Sequence, residues 1–307
     1  MKIYRGFNDK KLAFKKRALA IGVFDGVHLG HRKILAQMLS DAKKHGIFSM
    51  VVTFDPHPAK ILTPKKFHPT ILMSLEHRLN FFESMGINEA LVIPFTKKFA
   101  QVSREDFYDD LLTQRLGMAS LTVGHDFRFG KKALGDHNFL LERAKDSGTR
   151  LFLIPALKLD DEIISSSHIR LLIEAGELEK ASRMLGRPVS VMGTVEHGRG
   201  RGKLIGFPTA NLNPHHEALP PAAVYSVYGY LNKKKLRGVL HIGKRPTFDD
   251  NEKSLEVHFL DFHRNIYGWN TELIFVKKIR DIRRFASPAL LAKAIGQDIL
   301  TARRHTR

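Results

Sequence analysis

Along the first half of the chain, short apolar runs alternate with stretches whose apolar residues recur at helical spacing. Ala18–Phe24 is one apolar run and Phe48–Phe54 another, the latter reading as a buried strand. Between them, His31–Lys44 places Ile34, Leu35, Met38, Leu39 and Ala42 on one helical face. The pattern then predicts a helix over Leu75–Met85, a strand over Ala90–Phe95, a strand over Leu121–Phe127, a helix over Phe139–Asp146 and a strand over Leu151–Leu157. Ser103-Arg-Glu-Asp106 has the spacing of a helix-opening capping box. Alternation of this kind predicts a parallel sheet covered by helices on both faces, with ligands at the carboxyl ends of the strands.

Near Leu185-Gly-Arg-Pro188 the pattern changes. Short segments rich in Val, Tyr and Phe follow: Val189–Val195, Val224–Leu231, Val239–Ile242, Leu255–Phe262 and Leu273–Ile279, with Gly, Pro and Asn clustered between them. This reads as a small antiparallel sandwich or barrel. A helix over Pro288–Arg303 closes the pattern, with Ser287 placed as its N-cap ahead of a first-turn proline. The stretch Ile169–Leu185 reads as helical and as the join between the halves, giving expected domains of residues 1–184 and 185–307.

Composition narrows the chemistry. The chain has no cysteine, which excludes thiolate metal sites and thiol nucleophiles and agrees with a cytoplasmic setting. No apolar run approaches the roughly 18 residues of a membrane-spanning helix. The net charge is +19, a field that attracts polyanions, whether nucleic acid or nucleotide polyphosphate, or that merely solvates the surface.

Two constellations carry phosphate chemistry. Gly22-Val-Phe-Asp-Gly-Val-His-Leu-Gly-His31 lies where the first predicted strand turns into a helix. Glycines there admit phosphate close to the backbone, and a helix N-terminus offers unpaired N–H groups to an anion. His28 and His31 can then both face charge that builds on phosphorus. Ile164-Ser-Ser-Ser-His-Ile-Arg170 offers the hydroxyls of Ser165, Ser166 and Ser167, with Arg170, at a second helix start. Plain N-capping is their bland role. The other constellation, Gly193-Thr-Val-Glu-His-Gly-Arg-Gly-Arg-Gly-Lys-Leu-Ile-Gly-Phe-Pro-Thr-Ala-Asn211, combines a glycine-rich stretch with the oxygen donors Thr209 and Asn211. Glu256 sits in the apolar strand Leu255–Phe262, where a lone carboxylate needs a reason. Phe54, Phe127 and Phe129, at strand ends, would suit the flat walls that a fused ring system needs.

Together these segments resemble bacterial bifunctional riboflavin kinase/FMN adenylyltransferases. The run from Ala18 to Arg187 is similar to the HxGH-type adenylyltransferase module, and Gly-Phe-Pro-Thr-Ala-Asn211 to the riboflavin kinase module that follows it. The resemblance implies a Rossmann-like α/β domain, then an antiparallel β-barrel with a terminal helix. It implies ATP as co-substrate, Mg2+, and riboflavin and FMN as acceptors, with no membrane or nucleic-acid partner. It assigns catalysis to His28, His31, Arg170 and Glu256. ATP contacts fall to Gly22, Phe24, Asp25, Gly26, Gly30 and Ser165–Ser167 in the first module, and to Gly202, Lys203, Gly206 and Pro208 in the second. Flavin contacts fall to Phe54, Pro56, His57, Pro58, Asp126, Phe127 and Arg280, and the metal to Thr209 and Asn211.

Ala223, His241, Ile282 and Ala294 depart from the usual residues of the kinase module, and Ser167 stands where threonine is commoner. An adenylyltransferase with an impaired barrel is therefore one alternative. A basic polyanion-binding protein on an enzyme fold, motivated by the charge and the Arg199–Lys203 run, is another.

Overall fold

The computed structural model describes every residue except 199–201, 203–205, 216–217, 232–233, 245–252, 263 and 307. Lys203 and most of the Arg199–Lys203 run therefore lie outside the described residues. The chain divides into two compact units, Met1–Ile71 with Leu75–His168, and Leu72–Ser74 with Ile169–Arg307.

The first unit is built on a six-stranded, wholly parallel sheet. Its strands are β1 (Lys2–Arg5), β2 (Arg17–Ile21), β3 (Phe48–Asp55), β4 (Glu89–Pro94), β5 (Met118–Gly124) and β6 (Arg150–Ile154), in the order β1-β4-β3-β2-β5-β6. Helices α1 (Leu29–His45), α2 (Ala59–Leu62), α3 (Leu75–Ser84), α4 (Arg104–Asp106, continued as a π-helix Phe107–Arg115) and α5 (His137–Ser147) fill the connections. Ser103 caps α4 by accepting from Asp106 N at 2.9 Å, as the capping box predicts.

From β2 the chain steps to β3 and β4 on one side, then crosses to β5 on the other. The loop after β2 therefore opens at a topological switch point, where open α/β sheets bind ligands. All five residues of β2 are buried, as a strand covered on both faces requires. β1 adds an edge that the apolar pattern does not predict, because only Tyr4 of its four residues is buried.

A short hairpin, β7 (Lys158–Leu159) with β8 (Glu162–Ile163), precedes α6 (Ser166–Ala175) and α7 (Leu178–Leu185). The stretch expected to be helical consists of these two helices. Gly176 breaks it in the left-handed region, at φ 87°.

The second unit is a closed antiparallel barrel, which settles the choice between sandwich and barrel. Its strands are β9 (Ser190–Glu196), β10 (Ala210–Pro214), β11 (Ala223–Leu231), β12 (Lys234–Lys244), β13 (Lys253–Phe259) and β14 (Asn270–Asp281), ordered β10-β13-β12-β11-β14-β9. β10 falls in sequence read as part of the phosphate loop; it forms a strand because both β9 and β13 pair with it. The terminal helix α8 (Pro288–His305) starts where expected, with Ser287 Oγ accepting from Leu290 N at 3.3 Å. Its Ile299 and Ala302 pack on an apolar patch of Val224, Val239 and Ile279.

Candidate functional site

In the first unit, His28 is itself the N-cap of α1. Its Nδ1 accepts from the His31 backbone N–H at 3.3 Å. A neutral His28 in this role carries its proton on Nε2. The two imidazoles stack, centroids 3.7 Å apart and planes 19° from parallel. Gly30 permits this fold-back, since a Cβ there would stand 3.2 Å from both His28 Cε1 and His28 Nδ1. The Phe24 ring meets His31 edge-on at 5.3 Å. Burial, then the neighbouring His28 and Arg78, hold the His31 imidazole well below its ordinary range, so it is neutral at physiological pH. His31 Nδ1 is buried with no hydrogen-bond partner among the described residues.

The serine segment divides its work. Ser165 Oγ accepts from His168 N at 3.2 Å, the capping role. Ser166 Oγ donates to the Asp25 carbonyl at 2.7 Å, tying this segment to the loop after β2, and Ser167 is exposed. Asp25 is buried. The structure thus brings Gly22, Phe24, Asp25, Gly26, His28, Gly30, His31 and Ser166 to one end of the sheet. Arg170, further along α6, belongs to the second unit.

Beside this loop is a cavity of about 410 Å³ whose walls include Gly22, Val23, Phe54, Pro58, Phe127 and Phe129. The three phenylalanines expected from the sequence are all there. Phe95, Phe99 and Phe107 also line it; they lie at a strand end and in helical segments that gave no separate signal. Pro56, His57 and Asp126 are not among its walls. Pro56 and Asp126 are exposed, and His57 Nδ1 accepts from Ala59 N at 3.1 Å.

In the barrel, residues far apart in sequence share one cross-strand row. Glu196 pairs with Asn211, Asn211 with Glu256, Glu256 with His241, His241 with Val224, and Val224 with Arg280. Alternation along β13 buries Leu255, Val257 and Phe259 and leaves Glu256 and His258 on the other face. That face looks into a cavity of about 910 Å³ lined by Gly202, Thr209, His241, Glu256, Arg280 and residues of α8, among others. A third cavity, about 400 Å³, is lined by Pro208, Thr209, Ile266 and Tyr267, so Thr209 stands on the wall of both. Gly206 is exposed.

Arg280 is not presented freely to the cavity. Its Nε donates to Asp298 Oδ1 at 2.9 Å and its Nη2 to Asp298 Oδ2 at 2.7 Å, a fork anchored on α8. Among the four departures, His241 and Ile282 line the larger cavity, whereas Ala223 and Ala294 are buried and absent from its walls. Burial pushes the His241 imidazole below its ordinary range, against the opposing pull of Glu256. Among the described residues no cluster of three or more His, Asp or Glu could hold a metal, and no helix is long and apolar enough to cross a membrane.

Comparison with known proteins covers both halves of the chain. A family model described as FAD synthetase matches residues 10–168, and one described as riboflavin kinase matches residues 185–306. Proteins named bifunctional riboflavin kinase/FMN adenylyltransferase are similar along nearly their whole length. The one from Escherichia coli (strain K12) is 35% identical, covering 99% of this chain and 97% of its own. Its Bacillus subtilis (strain 168) counterpart is 34% identical, covering 92% and 90%. A solved structure described as a macrolide-efflux protein from Streptococcus pneumoniae superimposes with a TM-score of 0.84 at 27% identity, covering 99% of both chains. With both modules matched in order and such relatives spanning the chain, this protein belongs to the family of bifunctional riboflavin kinase/FMN adenylyltransferases.

Proposed function

We propose that the two activities of the family, phosphorylation of riboflavin to FMN and adenylylation of FMN to FAD, are carried by the two sites separately. The observation that carries this reading is that each unit has its own cavity, one lined by Gly22 and Val23 of the loop after β2, the other by Gly202 and Thr209 of the glycine-rich stretch.

On the barrel, riboflavin occupies the larger cavity and ATP the smaller, and the phosphoryl group passes at Thr209, the residue the two share. The Glu256 carboxylate takes the proton of the ribityl hydroxyl. The freed oxygen attacks the γ-phosphorus, the bridging bond to the β-phosphate breaks, and ADP leaves. Two glycines leave a cradle around the proposed metal donors. A Cβ on Gly202 would stand 3.1 Å from Thr209 Oγ1, and one on Gly198 would overlap the Asn211 side-chain amide. Thr209 Oγ1 and the Phe207 carbonyl oxygen both lie close to the bare backbone of Gly202, an oxygen set that suits a hard cation, so Thr209 and Asn211 would hold Mg2+, which when bound offsets polyphosphate charge.

In the first unit the isoalloxazine ring lies among Phe54, Phe127 and Phe129. A phosphate oxygen of FMN attacks the ATP α-phosphorus, the α–β bridge breaks, and pyrophosphate leaves. His28 and neutral His31 donate hydrogen bonds to the charge that accumulates, helped by the N-terminus of α1. Ser166 holds the Asp25 turn.

The test supplies riboflavin or FMN with ATP and Mg2+ and separates the flavins by chromatography. His28→Ala should stop FAD formation and spare FMN formation, and Glu256→Ala the reverse. Equal loss of both activities in either folded variant would refute separate sites. FAD from added FMN alone in the unaltered protein would favour the impaired-barrel alternative that Ile282, on the cavity wall, motivates.

A further inference from the structure

Helix α3 carries a stripe at positions 75, 78, 79 and 82, the spacing of a core-facing surface. Leu79 and Phe82 are buried there as expected, but so is Arg78, at 3% exposure. A buried guanidinium gains from partners for its donors, and Arg78 finds them for both terminal nitrogens but not, among the described residues, for Nε. Arg78 Nη1 donates to the Val23 carbonyl at 2.6 Å and to Thr53 Oγ1 at 2.8 Å, and Nη2 donates to the Phe54 carbonyl at 3.3 Å. Thr53 Oγ1 in turn donates to the Val23 carbonyl at 3.1 Å.

These partners belong to two different walls. Val23 is in the loop after β2, next to Phe24, whose ring meets His31 at 5.3 Å and Phe82 of α3 at 5.8 Å. Thr53 and Phe54 end β3, and both Val23 and Phe54 line the apolar cavity. One side chain therefore fastens the histidine-bearing loop to the wall against which the acceptor ring stacks.

The unit's other deeply buried arginine is arranged differently. Arg17 Nε donates to the Glu89 carboxylate at 2.7 Å, an ion pair neutralised on the spot. Arg78 directs these hydrogen bonds to two carbonyls and a hydroxyl, while Asp25 and Asp55 act on it through space. It is built as a clamp between loops.

We propose that Arg78 is a positioning residue for adenylyl transfer, setting the loop that carries His28 and His31 against the strand end that walls the acceptor cavity. This rests on the adenylyl-transfer site described above. Misplacing reacting groups by about 1 Å costs on the order of 100-fold in rate, so one clamp of this kind can govern turnover. The charge has a second consequence. The groups acting on His31 are His28 from the start of α1 and Arg78 from α3; after burial, both help to keep His31 neutral.

The experiment uses the full-length protein with Arg78→Lys and Arg78→Met, measuring FAD formation from FMN and ATP between pH 5 and 8. Riboflavin phosphorylation by the same preparations serves as the internal standard. Arg78→Lys keeps the charge but loses the fork, so kcat for FAD formation should fall on the order of 100-fold and KM for FMN should rise, with FMN formation unchanged. Arg78→Met should show the same fall and, in addition, an acid limb moved to higher pH, because His31 then protonates more readily. The proposal is overturned if Arg78→Lys has the kcat and KM of the unaltered protein, whether or not Arg78→Met folds. It is equally overturned if Arg78→Met lowers the melting temperature while kcat, KM and the acid limb stay in place. If the unaltered protein makes no FAD from FMN, the adenylyl-transfer site itself is wrong, which is a separate outcome.

Discussion

Asp298 lies on α8, 18 residues after the arginine it holds, and removing its carboxylate tests how the terminal helix shapes the larger barrel cavity. The Arg280 and Asp298 side chains are 21% and 6% exposed. Breaking a fully buried pair costs about 3–5 kcal/mol, because a charge is left uncompensated. Arg280 keeps some access to water, so the loss in Asp298→Ala should be smaller, about 2–3 kcal/mol. The helix itself should stay docked. Tyr228 Oη still donates to the Thr306 carbonyl at 3.0 Å, Ser226 Oγ still meets His305 Nδ1 at 3.0 Å, and the apolar patch beneath is unchanged. The assay is thermal unfolding followed by fluorescence, since the chain's single tryptophan, Trp269, lies in the barrel unit and reports on it. A loss of this size lowers the transition by roughly 8 °C for a unit of about this length. KM for riboflavin should rise as Arg280 leaves its anchored position on the cavity wall, and FAD formation from FMN should be unaffected. A transition within about 2 °C of the unaltered protein, together with an unchanged KM for riboflavin, would refute the view that this fork organises the cavity.

Gly198→Ala places a methyl where the Asn211 amide now lies. The side chain must turn away, so FMN formation should fall at least about tenfold with adenylyl transfer intact; parallel assays of the two reactions check this. Asp41 is buried, which opposes ionisation, but hydrogen bonds from Arg150 and Ser120 outweigh that and hold its carboxyl below the usual range. A lowered carboxylate contributes stability that is complete above its unfolded value and lost as pH falls through the folded one. Asp41→Asn should therefore lower the heat resistance of FAD formation at pH 7, with the gap to the unaltered protein narrowing below about pH 4.

Much of this arrangement was legible because periodicity and capping are local. The capping serines Ser103 and Ser287 sit where their sequence context puts them, and the apolar runs fall on strands. What the sequence hid depends on partners remote in the chain. β10 is a polar Ala-Asn-Leu-Asn-Pro segment that becomes a strand only because β9 and β13 flank it. Val239–Ile242 is the apolar middle of an eleven-residue strand whose ends are polar. Arg280 looked available for flavin because nothing near it in sequence announces Asp298. Arg78 left the one usable trace, a cation on the apolar stripe of a helix. Joining Glu256 to Asn211 and His241 required the register of the barrel, which no spacing along the chain reveals.

The short first strand has a consequence for solubility. β1 covers the outer edge of β4, a Glu-Ala-Leu-Val-Ile-Pro segment of which all but the proline is buried. β1 itself offers an outer edge of four residues with Lys2 and Arg5 on it, the kind of brief, charged margin that discourages another chain from adding a strand. Without those residues the same sheet would end in a longer, apolar ladder of unpaired backbone groups, a template for association between copies. The basic opening of the chain thus acts as a border that keeps one sheet from continuing into the next molecule.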